Sequence, residues 1–261
     1  MTARRKVFLL GEGISYSRSP AMHNAAFQNL GMDWTYEVLD ISRPQLAESV
    51  RRLRAPDVGG ANVTIPYKQA VMEHLDAVAP EALRARAVNT IVNDSGKLGG
   101  FNTDIPAIRT ALEELGVEPA RANAVILGGG GAARAAAVAM EGGHVTFVLR
   151  HPAGADVPGK VVGWSDPSVP AMTRAADVLI NATPLGRHDE MPLRPAALPK
   201  DGAVIDLVYV KGGTPMVRKA RSLGLPAVDG WEVLLAQGTI SFLLWTGRAA
   251  PRDAMRETLD P

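Results

Sequence analysis

The chain has 261 residues, 46% hydrophobic and 21% charged, a globular composition that excludes an intrinsically disordered protein. Lys and Arg total 28 against 27 Asp and Glu, a net charge of +1, which disfavours a nucleic-acid binder built on phosphate contacts. Cysteine is absent, which excludes disulfide scaffolds, thiolate-ligated zinc, iron–sulfur clusters and cysteine nucleophiles.

Val7–Leu10 reads as a first strand. Gly11 and Glu12 end this apolar run too early for a secretory leader, and no window of about 18 apolar residues follows. A cytoplasmic protein with no membrane partner is expected. Ser19–Leu30 reads as a helix with Ser19 as N-cap and Pro20 in its first turn. Trp34–Leu39 is a strand, Pro44–Leu53 a helix, Gly59–Ile65 a strand stopped by Pro66, and Tyr67–Leu75 a further helix. Val88–Val92 is a strand that turns through Asn93-Asp94-Ser95-Gly96.

Ile105, Ile108, Leu112 and Leu115 share one helical face, and Gly116 ends it. Then come a strand at Ala124–Leu127, a turn at Gly128–Gly131, an Ala-rich helix at Ala132–Met140 and a strand at Val145–Leu149. Val178–Asn181 and Val204–Val208 are later strands; Trp231, Leu234, Leu235, Gly238, Phe242 and Trp245 mark a closing helix. This alternation predicts an α/β protein with two lobes and a cleft between them. The expected parts are an N-terminal α/β domain (1–103), a Rossmann-type dinucleotide-binding domain (104–230) and a C-terminal helix (231–261) returning to the first.

The sharpest chemical signal is Gly128-Gly129-Gly130-Gly131-Ala132-Ala133, a G-x-G-x-x-A pattern between a strand and a helix. Gly128 suits the tight turn, Gly130 lets the backbone approach a pyrophosphate, and Ala133 permits close helix–strand packing. The helix start offers N–H groups and a positive dipole end to phosphate. Where an acid would hold the ribose of NAD, the sequence has Arg150, 22 residues beyond Gly128. A cation suits a 2′-phosphate, so NADP is favoured, with NAD the alternative. Two prolines and two glycines between His151 and Gly159 predict a loop or stub in place of a crossover helix.

Four polar motifs precede that turn: Ser17-Arg18-Ser19-Pro20, Asn62-Val63-Thr64-Ile65-Pro66-Tyr67-Lys68, Ala87-Val88-Asn89-Thr90 and Asn102-Thr103-Asp104. Each alone reads as a turn or a cap. In this order they resemble the shikimate dehydrogenase family. The resemblance continues through Asn181-Ala182-Thr183-Pro184-Leu185-Gly186, Asp206-Leu207-Val208-Tyr209 and Asp229-Gly230-Trp231-Glu232, to Gln237 and Phe242-Leu243-Leu244-Trp245. It implies an NADP-linked oxidoreductase that interconverts 3-dehydroshikimate and shikimate. The first domain would then bind substrate and carry catalysis.

By the same resemblance Lys68 and Asp104 are the catalytic pair. Ser17 and Ser19 take the substrate carboxylate with Tyr209 nearby, and Thr64, Asn89 and Gln237 contact ring hydroxyls. Thr183, Leu207 and Gly230 join Gly128–Ala133 and Arg150 around the cofactor. Burial favours a neutral lysine while a nearby carboxylate favours the charged one, so two roles for Lys68 stay open. It either carries a proton or polarises the carbonyl while Asp104 orients it. The family's Asn-Arg-Thr cluster reads Leu149-Arg150-His151 here, and Gly154 stands where a second basic residue is usual.

The five histidines show no i, i+4 pair and no metal-ligand spacing, so no metal is expected, and His23 reads as a packed residue. His188-Asp189-Glu190 reads as a solvated loop. The expected partner is a small cyclic polyol carboxylate, bound by a monomer or a homodimer. Quinate or an amino-substituted analogue is the alternative substrate, and a catalytically silent dinucleotide-binding protein the alternative class.

Overall fold

A computed structural model describes residues 4–259. The chain divides into two compact units: one takes in the chain up to Thr103 and resumes at Leu235, the other runs from Asp104 to Leu234. The first unit contains β1 (Arg5–Gly11), α1 (Ser19–Asn29), β2 (Trp34–Asp40), α2 (Leu46–Arg52) and β3 (Val58–Val63). It continues with β4 (Ala77–Val78), α3 (Pro80–Ala85), β5 (Thr90–Asp94) and β6 (Lys97–Phe101).

These strands form one sheet in the order β2-β1-β3-β5-β6-β4. β1 runs parallel to β2 and β3, and β5 runs antiparallel to β3 and β6. The carboxyl ends of β1, β3 and β6 and the start of β5 therefore share one sheet edge. The polar motifs flank those ends.

The second unit opens with α4 (Asp104–Glu114) and continues through β7 (Asn123–Leu127), α5 (Gly131–Ala139), β8 (His144–Leu149), β9 (Lys160–Gly163) and α6 (Val169–Arg174). Then follow β10 (Val178–Asn181), β11 (Ala203–Asp206), α7 (Pro215–Ser222), β12 (Ala227–Val228) and α8 (Gly230–Thr246), inside which the unit boundary falls. α9 (Arg252–Arg256), the last helix among the described residues, belongs to the first unit. The second unit's sheet is wholly parallel, in the order β9-β8-β7-β10-β11-β12. Strand order reverses between β7 and β10, which is the Rossmann arrangement and puts the ligand crevice at their carboxyl ends. Among the described residues, no helix is long and apolar enough to cross a membrane.

β3 is buried at every position because it lies between β1 and β5 with both faces covered. At Gly60, φ is +152°, and a Cβ would sit 2.1 Å from the Ile91 carbonyl oxygen and 2.7 Å from Trp245 Nε1. Glycine there lets the Trp245 indole donate to that carbonyl at 2.9 Å. Gly60→Ala is therefore expected to cost at least about 2 kcal/mol, read as a fall of roughly 5 °C or more in Tm. An unchanged melt would show that the indole contact is dispensable.

Several expectations need correction: β3 stops at Val63 and β5 spans Thr90–Asp94, where strands over Gly59–Ile65 and Val88–Val92 were expected. Residues 67–69 form a turn and Ala70–His74 a 3₁₀ helix, where a helix over Tyr67–Leu75 was expected. The Lys68 carbonyl accepts from the Val88 N–H at 2.7 Å and so leaves the helical ladder. Ser19 is the first residue of α1 and not its N-cap; Ser17 Oγ accepts the Ser19 N–H at 3.3 Å. β11 ends at Asp206, two residues early, because the Asp206 carboxylate takes the Val208 N–H at 3.0 Å.

No helix forms between Arg150 and Gly159, as the prolines and glycines predict, and the buried Arg134 of α5 holds that loop by donating to the Asp156 carbonyl. The sequence reading gave no range for β4, β6, β9, β12, α3, α6, α7 and α9, none longer than eight residues and all too short for a clear period.

Candidate active site

In the first unit, Ser17 and Ser19 lie where the chain leaves β1 and enters α1. The Asp40 carboxylate fixes this loop by accepting the N–H groups of Gly13 and Ile14 at 2.8 and 3.2 Å. Thr64 follows β3 directly, with its N–H on the Leu10 carbonyl at 2.9 Å. The turn beyond is closed by the Tyr67 N–H donating to Thr64 O at 2.9 Å, and it presents the half-buried Lys68. The buried Tyr67 hydroxyl lies 2.8 Å from the Ile41 carbonyl and 2.9 Å from the Glu12 carboxylate. Burial first, and the Glu12 contact second, push its phenol up to about 12, so it stays a neutral donor anchoring the turn.

Asn89 stands just before β5, beside the end of β3, and its side chain meets that of Thr103, just past β6, at 2.9 Å. Thr103 Oγ1 lies 3.4 Å from Gln237 Oε1 on α8. The first unit thus gathers Ser17, Ser19, Thr64, Lys68, Asn89 and Gln237. Asp104 opens α4 and belongs, with Tyr209, to the second.

In the second unit, Gly128 has φ +102° and a Cβ there would stand 3.0 Å from the Ala182 carbonyl, so the turn requires glycine. A Cβ on Gly130 would meet nothing within 4 Å, so glycine there leaves the backbone open to close approach. α5 begins at Gly131 with no side-chain cap, so the N–H groups of its first turn are not taken by a capping residue. Ala133 is fully buried. These features, with Arg150 exposed just beyond β8, fit a dinucleotide carrying a 2′-phosphate.

At the ends of β10 and β11, the Thr183 hydroxyl donates to Asn181 Oδ1 at 2.7 Å. Asn181 Nδ2 donates to Asp206 Oδ1 at 2.9 Å and to the Leu185 carbonyl at 2.9 Å. Asp206 also accepts the Thr214 hydroxyl at 2.7 Å. Burial outweighs those hydrogen bonds and pushes its carboxyl up to about 6. Leu207 and Tyr209 follow directly in the chain, and Gly230 packs against the same segment. The Leu207 N–H donates to the Asn181 carbonyl at 2.9 Å, and a Cβ on Gly230 would stand 2.5 Å from the Val208 carbonyl carbon. The Tyr209 ring packs 4.9 Å from Trp231, whose indole donates to Val210 O at 3.0 Å. His188 and Asp189 are exposed; Asp189 pairs with Arg218, and Glu190 accepts the Gly186 and His188 N–H groups at 3.0 and 2.8 Å.

Sequence reasoning missed the buried cluster of Tyr36, Asn62, Thr90, Thr103 and Ser241 beneath Asn89, and the Asn181–Asp206–Thr214 tie. One signal was available: Gln237 and Ser241 are four residues apart on one helix, hence on one face.

Two family descriptions match the chain: "Shikimate dehydrogenase substrate binding domain" over residues 9–91 and "Shikimate 5'-dehydrogenase C-terminal domain" over 230–259. The chain is 42% identical to the shikimate dehydrogenase (NADP(+)) of Moorella thermoacetica, covering 97% of this chain and 92% of that protein. The shikimate 5-dehydrogenase of Thermus thermophilus, solved in complex with NADP(H) and shikimate, superposes with a TM-score of 0.86 at 36% identity, covering 97% of this chain and 98% of that one. The shikimate 5-dehydrogenase of Listeria monocytogenes, solved with shikimate and NAD, gives 0.85 at 29% identity, covering 97% and 96%. With the glycine turn, the Asn-Val-Thr-Ile-Pro-Tyr-Lys segment and both sheets in place, this chain belongs to the shikimate dehydrogenase family.

Proposed function

We propose that this protein catalyses the NADP-linked interconversion of 3-dehydroshikimate and shikimate, a step toward the aromatic amino acids. The observation that carries the reading is the grouping of Thr64, Lys68, Asn89 and Thr103 along one edge of the first sheet. The Ser17 and Ser19 hydroxyls donate to the substrate carboxylate, with Tyr209 beside it, and Thr64, Asn89 and Gln237 hold the ring hydroxyls. Lys68 carries the proton at the oxygen of the reacting carbon, and Asp104 orients the ammonium and that oxygen. NADP, when bound, supplies or receives the hydride.

The N–H groups across Gly128, Gly129, Gly130, Gly131, Ala132 and Ala133 take the pyrophosphate, Arg150 takes the 2′-phosphate, and Thr183, Leu207 and Gly230 border the nicotinamide end. A charge-assisted hydrogen bond of about 1.5–3 kcal/mol makes Arg150→Ala raise the KM for NADP roughly tenfold to a hundredfold. The KM for NAD should move less than twofold. Equal effects on both cofactors would remove Arg150 from the 2′-phosphate.

The working form is a monomer or a homodimer in the cytoplasm, and light scattering on the eluting protein distinguishes the two. The function itself is tested by mixing the protein with shikimate or quinate and NADP or NAD, and following reduced-nicotinamide absorbance. Fast turnover with shikimate and NADP is expected. Preference for quinate or NAD would reassign the substrate or the cofactor, and silence in all four mixtures would overturn the reading.

A further inference from the structure

Asp206 is buried at the end of β11, and both of its oxygens meet donors. Oδ1 accepts the Asn181 side-chain N–H at 2.9 Å and the Val208 N–H at 3.0 Å. Oδ2 accepts the Thr214 hydroxyl at 2.7 Å. The partners fix these directions. The Leu185 carbonyl can only accept and the Thr183 N–H can only donate, so the Asn181 amide turns its nitrogen toward Asp206. Thr214 Oγ1 accepts the Val217 N–H at 3.3 Å as N-cap of α7, which leaves its hydrogen for Asp206. Three donors on two oxygens suit a carboxylate and not a carboxylic acid.

These contacts join three segments. The Val208 bond turns the chain beyond β11 that carries Leu207 and Tyr209. Asn181 shapes the loop beyond β10 through Thr183, whose hydroxyl donates to it at 2.7 Å and accepts the Leu185 N–H at 3.2 Å. That loop lies against the glycine turn, where a Cβ on Gly128 would stand 3.1 Å from Thr183 Cγ2. Thr214 opens α7, and a Cβ on Gly186 would stand 3.4 Å from its own Cβ. Burial opposes a charge here and raises the carboxyl to about 6, and Asp229, paired with Arg221 at 3.3 Å, adds to the rise. Of the other charged groups on these segments, Arg218 pairs with Asp189, and Glu190 accepts the Gly186 and His188 N–H groups. Arg187, Lys211 and Lys219 lie on the same segments.

We propose that ionised Asp206 is a positioning residue for the nicotinamide end of the cofactor: it holds the loops beyond β10 and β11 in place, and its protonation releases them. The inference rests on the proposed function, which sets Thr183, Leu207 and Gly230 at that end. A hydrogen bond to a charged oxygen is roughly twice as strong as one to a neutral oxygen. A proton on Asp206 therefore weakens all three bonds. It also adds an O–H, which Thr214 Oγ1 is the partner able to turn and accept, and the Thr214 hydrogen then loses its acceptor. The charge is unfavourable to folding, because burial opposes it, and favourable to cofactor binding. A residue that served the fold alone would not separate those two effects.

The test measures the Kd of NADP, and of adenosine 2′,5′-bisphosphate as its adenosine end alone, by titration calorimetry between pH 8 and pH 5. Asp206→Asn keeps the shape and stands for the protonated carboxyl. At pH 8 it is expected to bind NADP about tenfold more weakly than the wild type, with the bisphosphate within twofold and the Tm no lower. Towards pH 5 the wild type loses its advantage, and the NADP ratio narrows to about twofold. The 2′-phosphate and the other titrating groups are common to both proteins and cancel in that ratio. Thr214→Val weakens NADP binding several-fold at pH 8, and Thr214→Ser restores it.

A ratio that stays level from pH 8 to pH 5 overturns the inference, as does a folded Asp206→Asn protein that binds NADP like the wild type. Equal losses on NADP and the bisphosphate, with a lower Tm, mark a residue that serves the fold alone and also overturn it. Should Asp206→Asn not fold, Thr214→Val with wild-type NADP binding at pH 8 overturns it instead. A wild-type protein that binds neither ligand overturns the proposed function, and this inference with it.

Discussion

Replacing Lys68 by alanine is expected to lower kcat by about 10²- to 10⁴-fold, the usual contribution of a positioned proton carrier. The KM for NADP should stay within twofold. The reason lies in how Lys68 serves the fold. Its main-chain carbonyl receives the Val88 N–H at 2.7 Å, and that contact does not depend on the side chain. The turn is held separately, by the Tyr67 hydroxyl between Ile41 and Glu12. The loss should therefore appear in turnover while the melting temperature moves by only a degree or two. Steady-state kinetics with a cofactor titration separates these quantities, and a variant retaining more than a tenth of wild-type kcat would remove Lys68 from the proton-transfer role.

The second large effect is on acid stability. His23 on α1 is fully buried, stacked 4.6 Å from the Tyr36 ring and edge-on to Trp245 at 5.2 Å, and neither ring nitrogen has a hydrogen-bond partner. Burial pushes its imidazole down from 6.5 to about 3. Below pH 6.5 the unfolded chain takes up a proton that the folded chain refuses until about pH 3, so this residue's contribution to stability is complete above 6.5 and falls with pH through that window. The slope approaches about 1.4 kcal/mol per pH unit.

Asp206 works the other way. Its carboxyl is raised from 3.8 to about 6, so it favours the folded state below that range and loses the contribution as pH rises through it. Denaturant melts of the wild type and of His23→Phe, which keeps an aromatic ring against Tyr36, cancel the Asp206 part when compared at each pH. The variant should gain on the wild type steadily from pH 6.5 down to 4. Parallel curves would show that His23 is protonated in the folded protein.

The two halves of the molecule were unequally legible. The dinucleotide turn could be read because each residue answers to a local demand: Gly128 to a positive φ, Gly130 to backbone approach and Ala133 to packing. The reach to Arg150 follows from chain geometry alone, one helix and one strand later. The polar motifs of the first unit carried a family resemblance without saying what their side chains touch. Asn62, within the most specific motif, gave no sign that it would be buried under Asn89, because that contact joins β3 to a segment 27 residues away. The Tyr67–Leu75 helix failed for the same reason: Lys68 gives its carbonyl to Val88, and no local propensity encodes that partner.

The alternation of elements, the glycine turn with its cation, the family, and hence the class of chemistry are written in the order of the residues. Those features are local, or periodic over a few residues, and the chain cannot avoid expressing them. Long-range packing is what makes Asn89, Thr90, Thr103, Asn62 and Ser241 one buried cluster with a fixed direction of hydrogen bonding. It also decided that His23 has no polar partner and that Asp206 ties the loops beyond β10 and β11. Each of these depends on which donors and acceptors remain once water is excluded, and that is settled only when distant segments pack.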